Sequence, residues 1–147
     1  MKVMSEIIAV VTIAASVITG TALVAATVDT ERVRVGAFNV QVFGRAKRSK
    51  PDVMDVLVDI ALKFDVLVVQ EVRDSSLDTP KVFLEQINAE STLSYAMVEG
   101  PRLGRTGSKA QYVIYYVPAK LELLDAFTWP DPDDEFEREP IVATFRS

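Results

Sequence analysis

The sequence predicts an α/β fold with a mixed sheet, and three observations carry that expectation. Residues 33–40, VRVGAFNV, and residues 66–69, VLVV, are short β-branched apolar runs, and between them lies a segment of helical periodicity. A crossover of this kind makes the strands it joins parallel, and it is almost always right-handed. Downstream, SYAMVEG, AQYVIYYVP, KLELLDAFTW and PIVATFR read as further strands, separated by the turn-like GPRLGRTGS and PDPDDEFERE. One crossover unit followed by returning antiparallel strands gives α/β with a mixed sheet.

Taken in order, residues 1–30 read as a signal peptide or a membrane anchor. Residues 7–28 carry no charge and are long enough to cross a bilayer as a helix. Lys2 precedes them, Glu6 weakens the positive flank, and Val24, Ala25 and Ala26 suit signal cleavage. The apolar run is longer than a usual signal core, so an uncleaved anchor stands beside the cleaved leader. Either form puts residues 31–147, the globular part, outside the cytoplasm.

The strand at 33–40 ends on Asn39. SKPDVMDVLVDIALKF then starts a helix at Ser49 and Pro51, with Val53, Val56, Leu57, Ile60, Ala61 and Phe64 on its apolar face. The run Val66–Val69 is continuous rather than alternating, as expected of a strand covered on both faces. TPKVFLEQIN, residues 79–88, reads as a second helix, capped by Thr79 with Pro80 in its first turn.

Composition excludes several chemistries. The net charge is −5, which argues against indiscriminate nucleic-acid binding while leaving room for a local basic site. The chain has no Cys, so disulfides and thiolate metal sites are absent. It has no His, so these residues supply no imidazole base, no imidazole metal ligand and no Ser–His or Cys–His nucleophile pair.

The chemistry that remains concentrates at the end of the second strand, where FDVLVVQEVRDS runs from a buried apolar core into Gln70, Glu71, Arg73 and Asp74. Parallel strands place their carboxyl ends on one sheet edge, and open α/β sheets bind ligands beyond that edge. Asn39 and Glu71 both fall there, an amide oxygen and a carboxylate that suit Mg²⁺. On an extended chain Arg73 shares a face with Glu71, and a metal beside a guanidinium makes a clamp for phosphate. The same residues also fit a solvated ion pair, and spacing alone leaves both readings open.

VRVGAFNVQVFG followed by DVLVVQEVRDS resembles the opening of the deoxyribonuclease I family, within the wider endonuclease/exonuclease/phosphatase superfamily. GPRLGRTGSKAQYVIYY and FEREPIVATF resemble its next segments in the same order. The resemblance implies the N-terminal half of a four-layer α/β/β/α sandwich, preceded in this chain by the hydrophobic leader helix. It implies a DNA endonuclease dependent on Mg²⁺ (or Mn²⁺), present as an N-terminal half that lacks activity alone. By the match, Glu71 binds the metal, Asn39 lies beside metal and scissile phosphate, and Arg73 and Arg138 contact DNA. Gln41 stands where some members place a phosphate-contacting arginine, which weakens substrate grip. Asp131, Asp134 and Glu139 resemble a structural Ca²⁺ site of some members, and the same residues fit a solvated acidic turn. Arg102, Arg105 and Lys109 form a basic loop that suits either phosphate contact or plain surface.

Two departures stand out. The family supports a catalytic histidine with a glutamate where this chain has Ala110, and a neighbouring tyrosine position is Ser108. The family's catalytic histidines lie beyond the matched segments, so a complementary C-terminal half is the implied partner. The first sheet alone is expected to expose an apolar face. Two alternatives remain: an anchored, non-catalytic remnant or binding module, and a secreted sphingomyelinase-like or phosphatase member of the same superfamily.

Overall fold

The computed structural model describes residues 10–14 and 32–147. In chain order its elements are β1 (Val10–Ala14), β2 (Val35–Phe43), α1 (Arg45–Arg48), α2 (Pro51–Ala61), β3 (Val66–Val72), α3 (Thr79–Glu90), β4 (Ala96–Glu99), β5 (Gln111–Tyr116), β6 (Glu122–Thr128) and β7 (Ile141–Arg146). A four-stranded sheet runs β2-β3-β5-β4, and a three-stranded sheet runs β1-β7-β6. The β2–β3 pair is parallel, as the crossover through α2 requires, while β5 is antiparallel to both β3 and β4. In the second sheet β7 pairs antiparallel with β6 and parallel with β1.

The alternation along β3 builds two cores. Leu67 and Val69 face the helices and pack with Met54, Leu57, Val58 and Ala61 of α2 and with Phe83 and Ile87 of α3. Val66 and Val68 face the second sheet and pack with Tyr112, Ile114, Leu121, Ile141, Ala143 and Phe145. The described residues therefore stack as helices, sheet and sheet, which is part of the expected sandwich. Phe43, Phe83 and Tyr115 meet edge to face, at centroid distances of 5.4 and 5.3 Å, and tie the end of β2 to α3 and β5. Each such pair contributes about 1 kcal/mol beyond the area it buries.

Several sequence expectations need correction. Over the leader, Val10–Ala14 is a strand beside β7 rather than part of a helix; the run VVTIA is rich in β-branched residues, which favour a ladder. The rest of the expected span 7–28 and of the segment 1–30 lies outside the described residues. Among the described residues no helix is long and apolar enough to cross a membrane. The buried stripe of α2 is Met54, Leu57, Val58 and Ala61, with Val56 57% exposed. Two apolar stripes overlap at Leu57 and Ala61, and packing selected the one carrying Met54 and Val58. Ser49 closes α1, and Lys50 precedes Pro51 at the start of α2. Asp78, not Thr79, occupies the cap position of α3. The first sheet is covered on both faces. Exposed apolar side chains instead collect on β6 and just past it, where Leu124, Phe127 and Trp129 lie open and the last two rings stack 6.4 Å apart.

Candidate functional site

β2 and β3 run in regular register from Val35↔Val66 to Asn39↔Gln70 and re-pair only at Phe43↔Val72. Residues 40–42 therefore bulge out opposite Glu71. The β3–β5 ladder also shifts between Val69 and Val72. Gln41 (φ 52°), Val42 (φ 60°) and Glu71 (φ 57°) all adopt left-handed backbone, which costs a non-glycine residue free energy and clusters at functional sites. Val40 and Phe43 are buried and clamp the bulge on either side, leaving Gln41 and Val42 exposed. Gly44 then permits the chain to cross β3, since a Cβ there would lie 2.5 Å from the Arg73 carbonyl oxygen.

This irregular backbone is satisfied by the side chains that the sequence singled out. The Asn39 amide nitrogen donates to Glu71 Oε1 (3.2 Å), and the Val42 N–H donates to Glu71 Oε2 (3.2 Å). Asn39 Oδ1 accepts the Gln41 N–H at 2.8 Å. Arg73 Nη2 lies 3.5 Å from Glu71 Oε2. Burial alone would raise the Glu71 carboxyl, but Asn39, the Val42 N–H, Arg73 and Arg138 outweigh it and hold the pKa below its ordinary value. Glu71 and Arg73 do meet as expected, but the left-handed turn at Glu71 brings them together, not strand alternation.

Ser108, a departure from the family pattern, joins the two arginines. Its Oγ accepts from Arg73 Nη1 (2.8 Å), and its carbonyl accepts from Arg138 Nη2 (3.0 Å). The Nε atoms of Arg73 and Arg138 are buried and have no hydrogen-bond partner. Gly104 (φ +139°) supplies a backbone conformation that L side chains rarely adopt, and a Cβ there would lie 3.2 Å from the Ser108 carbonyl oxygen that Arg138 binds. The edge thus gathers Asn39, Glu71, Arg73 and Arg138, with the Gln41 backbone beside them.

Other candidates take structural roles. Asp74 is buried and accepts from the N–H and hydroxyl of Ser76 (3.0 and 2.9 Å) and of Thr79 (3.0 and 2.6 Å). Those bonds outweigh burial and hold its carboxyl well below the usual carboxylate range. Asp131 accepts the N–H groups of Glu135 (2.9 Å) and Phe136 (2.8 Å) and closes its own turn. Asp134 pairs with Arg105 at 3.0 Å. Among the described residues no three acidic side chains gather closely enough to hold a cation, so Asp131, Asp134 and Glu139 do not form a ready Ca²⁺ cage. Arg105 is engaged by Asp134 and Glu137, which takes it out of the free basic loop. Ala110 is buried and bridges Leu103 across the loop. Tyr112, buried near the charges of Arg138, Glu71 and Glu139, is pushed up to about 12, chiefly by burial, and stays protonated at neutral pH.

The donor set fits Mg²⁺, which takes one or two carboxylate ligands and keeps most of its waters. Glu71 offers that carboxylate, and the Asn39 oxygen has a second lone pair beyond the one given to Gln41. Sequence reasoning missed Val42 and gave Ser108 no contact role. The contribution of Val42 is a backbone N–H, which no residue type announces, and Ser108 appeared only as a lost tyrosine.

Layered sheets with a carboxylate, an amide and paired arginines on one edge define an α/β sandwich domain with a polar cluster at its strand ends. Over most of its length the chain is homologous to deoxyribonuclease-1 and deoxyribonuclease-1-like proteins. It is 39% identical over 116 residues to human deoxyribonuclease-1-like 2, covering 79% of this chain and 39% of that protein. It is 40% identical over 116 residues to mouse deoxyribonuclease-1-like 1, covering 79% and 36%, and 35% identical over 120 residues to chicken deoxyribonuclease-1, covering 78% and 43%. The chain thus spans about two fifths of the length of the curated relatives it matches. No family model matches it.

Proposed function

We propose that this chain carries the metal- and phosphate-holding edge of a deoxyribonuclease I-type phosphodiesterase, acting on DNA outside the cytoplasm. The observation that carries this reading is the convergence of Glu71, Asn39, Arg73 and Arg138 around a doubly bulged strand end. Glu71 would hold Mg²⁺ or Mn²⁺, with Asn39 fixing the carboxylate by one hydrogen bond. A bound divalent ion supplies charge stabilisation at a phosphoryl oxygen. Arg73 and Arg138 would seat the phosphate through their guanidinium groups. With no His, these residues supply no imidazole to act as general base. The chain alone therefore binds without turning over, and hydrolysis needs an imidazole from a complementary segment.

Calorimetric titration of Mn²⁺ into the 147-residue chain tests the metal, and fluorescence anisotropy with a labelled DNA duplex tests the phosphate clamp. Glu71→Gln is expected to lose Mn²⁺ binding, and Arg73→Ala to weaken DNA binding. Unchanged Mn²⁺ affinity in Glu71→Gln sinks the reading. A second reading, a non-catalytic anchored remnant or binding module, is favoured by Ala110, because that substitution sits inside the matched segment. Plasmid nicking by a complemented chain, lost in Glu71→Gln, rejects this second reading.

A further inference from the structure

Two features at the bulge call for one explanation. The left-handed residues Gln41 and Val42 carry the chain out of the β2–β3 ladder, so their backbone groups need partners elsewhere. Their N–H groups go to Asn39 and Glu71. The carbonyls of Val40 and Gln41 go to a single side chain: Lys47 Nζ donates to them at 2.5 and 2.6 Å. Lys47 lies on α1, which Gly44 turns back over the end of β2, and the Gly44 carbonyl accepts the Lys47 N–H at 3.0 Å. One face of the turn is therefore held by the site's own polar groups and the other by an ammonium.

We infer that Lys47 is a positioning residue: it clamps the turn at Gln41–Val42 so that the Val42 N–H stays aimed at Glu71 and the carboxylate keeps the orientation that metal binding requires. The inference rests on the functional reading above and goes beyond it, since Lys47 touches neither Glu71 nor Asn39 in the contacts that define the site. An ammonium bridging adjacent carbonyls is charge-assisted and strong enough to favour a left-handed pair that sterics disfavour. Without it, the Val40 and Gln41 carbonyls turn to water, and the bulge relaxes toward an ordinary edge.

The test uses the full chain with Lys47→Met, which keeps the apolar stem and removes the donors, and Lys47→Arg, which restores donors and charge. Mn²⁺ affinity is read by calorimetry, and amide hydrogen exchange is read at Val42 with the β3 amides of Leu67 and Val68 as internal controls. Expected is a loss of about 10-fold in Mn²⁺ affinity, the scale of outer-shell ligand partners. Faster exchange at Val42, unchanged exchange at Leu67 and Val68, and partial recovery in Lys47→Arg are expected with it. Unsubstituted affinity in Lys47→Met, or unchanged exchange at Val42, overturns the inference. Faster exchange at Leu67 and Val68 also overturns it, since Lys47 would then be holding the sheet as a whole. Absence of Mn²⁺ binding by the unsubstituted chain overturns the functional reading and the metal-positioning role with it. Binding lost in Glu71→Gln but kept in Lys47→Met overturns the Lys47 inference alone.

Discussion

The two ends of β3 each carry a carboxylate among cations, and they differ in almost everything else. At the amino end, Asp65 is buried; its carboxylate accepts the Arg34 N–H at 2.7 Å and lies 3.0 Å from Lys120 Nζ. The ladder there is in register, and no residue flanking it has positive φ. At the carboxyl end, Glu71 is partly exposed, both neighbouring ladders shift, and the backbone turns left-handed. Both carboxyls are held below their ordinary pKa against the upward pull of burial. A depressed pKa therefore does not distinguish a strut from a site. Geometry does: Asp65 ties regular strands together, whereas Glu71 is held by a backbone that has left the sheet to reach it.

The largest effect expected is on stability at the amino end. Asp65→Ala leaves Lys120, 10% exposed, without its partner and is predicted to cost about 3 kcal/mol in urea denaturation. Mn²⁺ affinity, measured on the fraction that remains folded, is expected to hold. If affinity falls in step with stability, the two ends are one cooperative unit and the contrast fails. Next comes Asp74→Asn, predicted to cost about 2 kcal/mol at neutral pH through weakened bonds to Ser76 and Thr79.

Those carboxyls also set an acid dependence. Asp65, Glu71 and Asp74 have folded pKa values below unfolded values near 3.8, 4.5 and 3.8. Each contributes stability that is present above the unfolded pKa and is lost as pH falls through the folded one. The denaturation midpoint should be flat down to about pH 5 and decline below it. Asp74→Asn should flatten the most acidic part of that decline. The reverse change, a rise in stability on acidification, would show that these carboxylates are not held as described.

Glu71→Gln sharpens the contrast from the other side. It removes the anionic ligand while keeping an acceptor for Asn39, so the predicted stability cost is about 1 kcal/mol or less, against a loss of more than about 10-fold in Mn²⁺ affinity. A large loss of stability with little loss of affinity would make Glu71 a second Asp65.

Much of this was legible in the sequence, and the failures have physical causes. The apolar runs marked β2 through β7, because burial on both faces of β3 and one face of β7 demands such runs. Asn39, Glu71 and Arg73 were legible as residue types at a strand end, and Arg138 only through the family resemblance. What could not be read was the bulge. Strand alternation placed Arg73 beside Glu71, but the observed contact depends on the φ of Glu71, which residue identity does not announce. Lys47 is one charge among several in RAKRSK, none of which the sequence pattern singles out, and its role depends on where Gly44 sends α1. The α2 face was misassigned because Val53, Met54, Val56, Leu57 and Val58 offer overlapping apolar stripes, and only tertiary packing chooses between them.

The smallest effect predicted separates the two groups of arginines near the carboxyl edge. Arg105 is paired in the open with Asp134 and Glu137, at 3.0 and 4.0 Å, and such exposed pairs contribute less than about 1 kcal/mol. Its charge is already answered, so Arg105→Ala should change duplex affinity little and leave the dependence of affinity on salt intact. Arg73→Ala removes a guanidinium that faces a single carboxylate while its buried Nε lacks a partner. Its salt dependence should fall by about 1 in logarithmic slope, as expected for one lost phosphate contact. Equal slopes for the two variants would mean that DNA senses only the summed charge of the surface. The clamp would then be an ion pair at the end of a strand, and β3 would end at both sides in the same way.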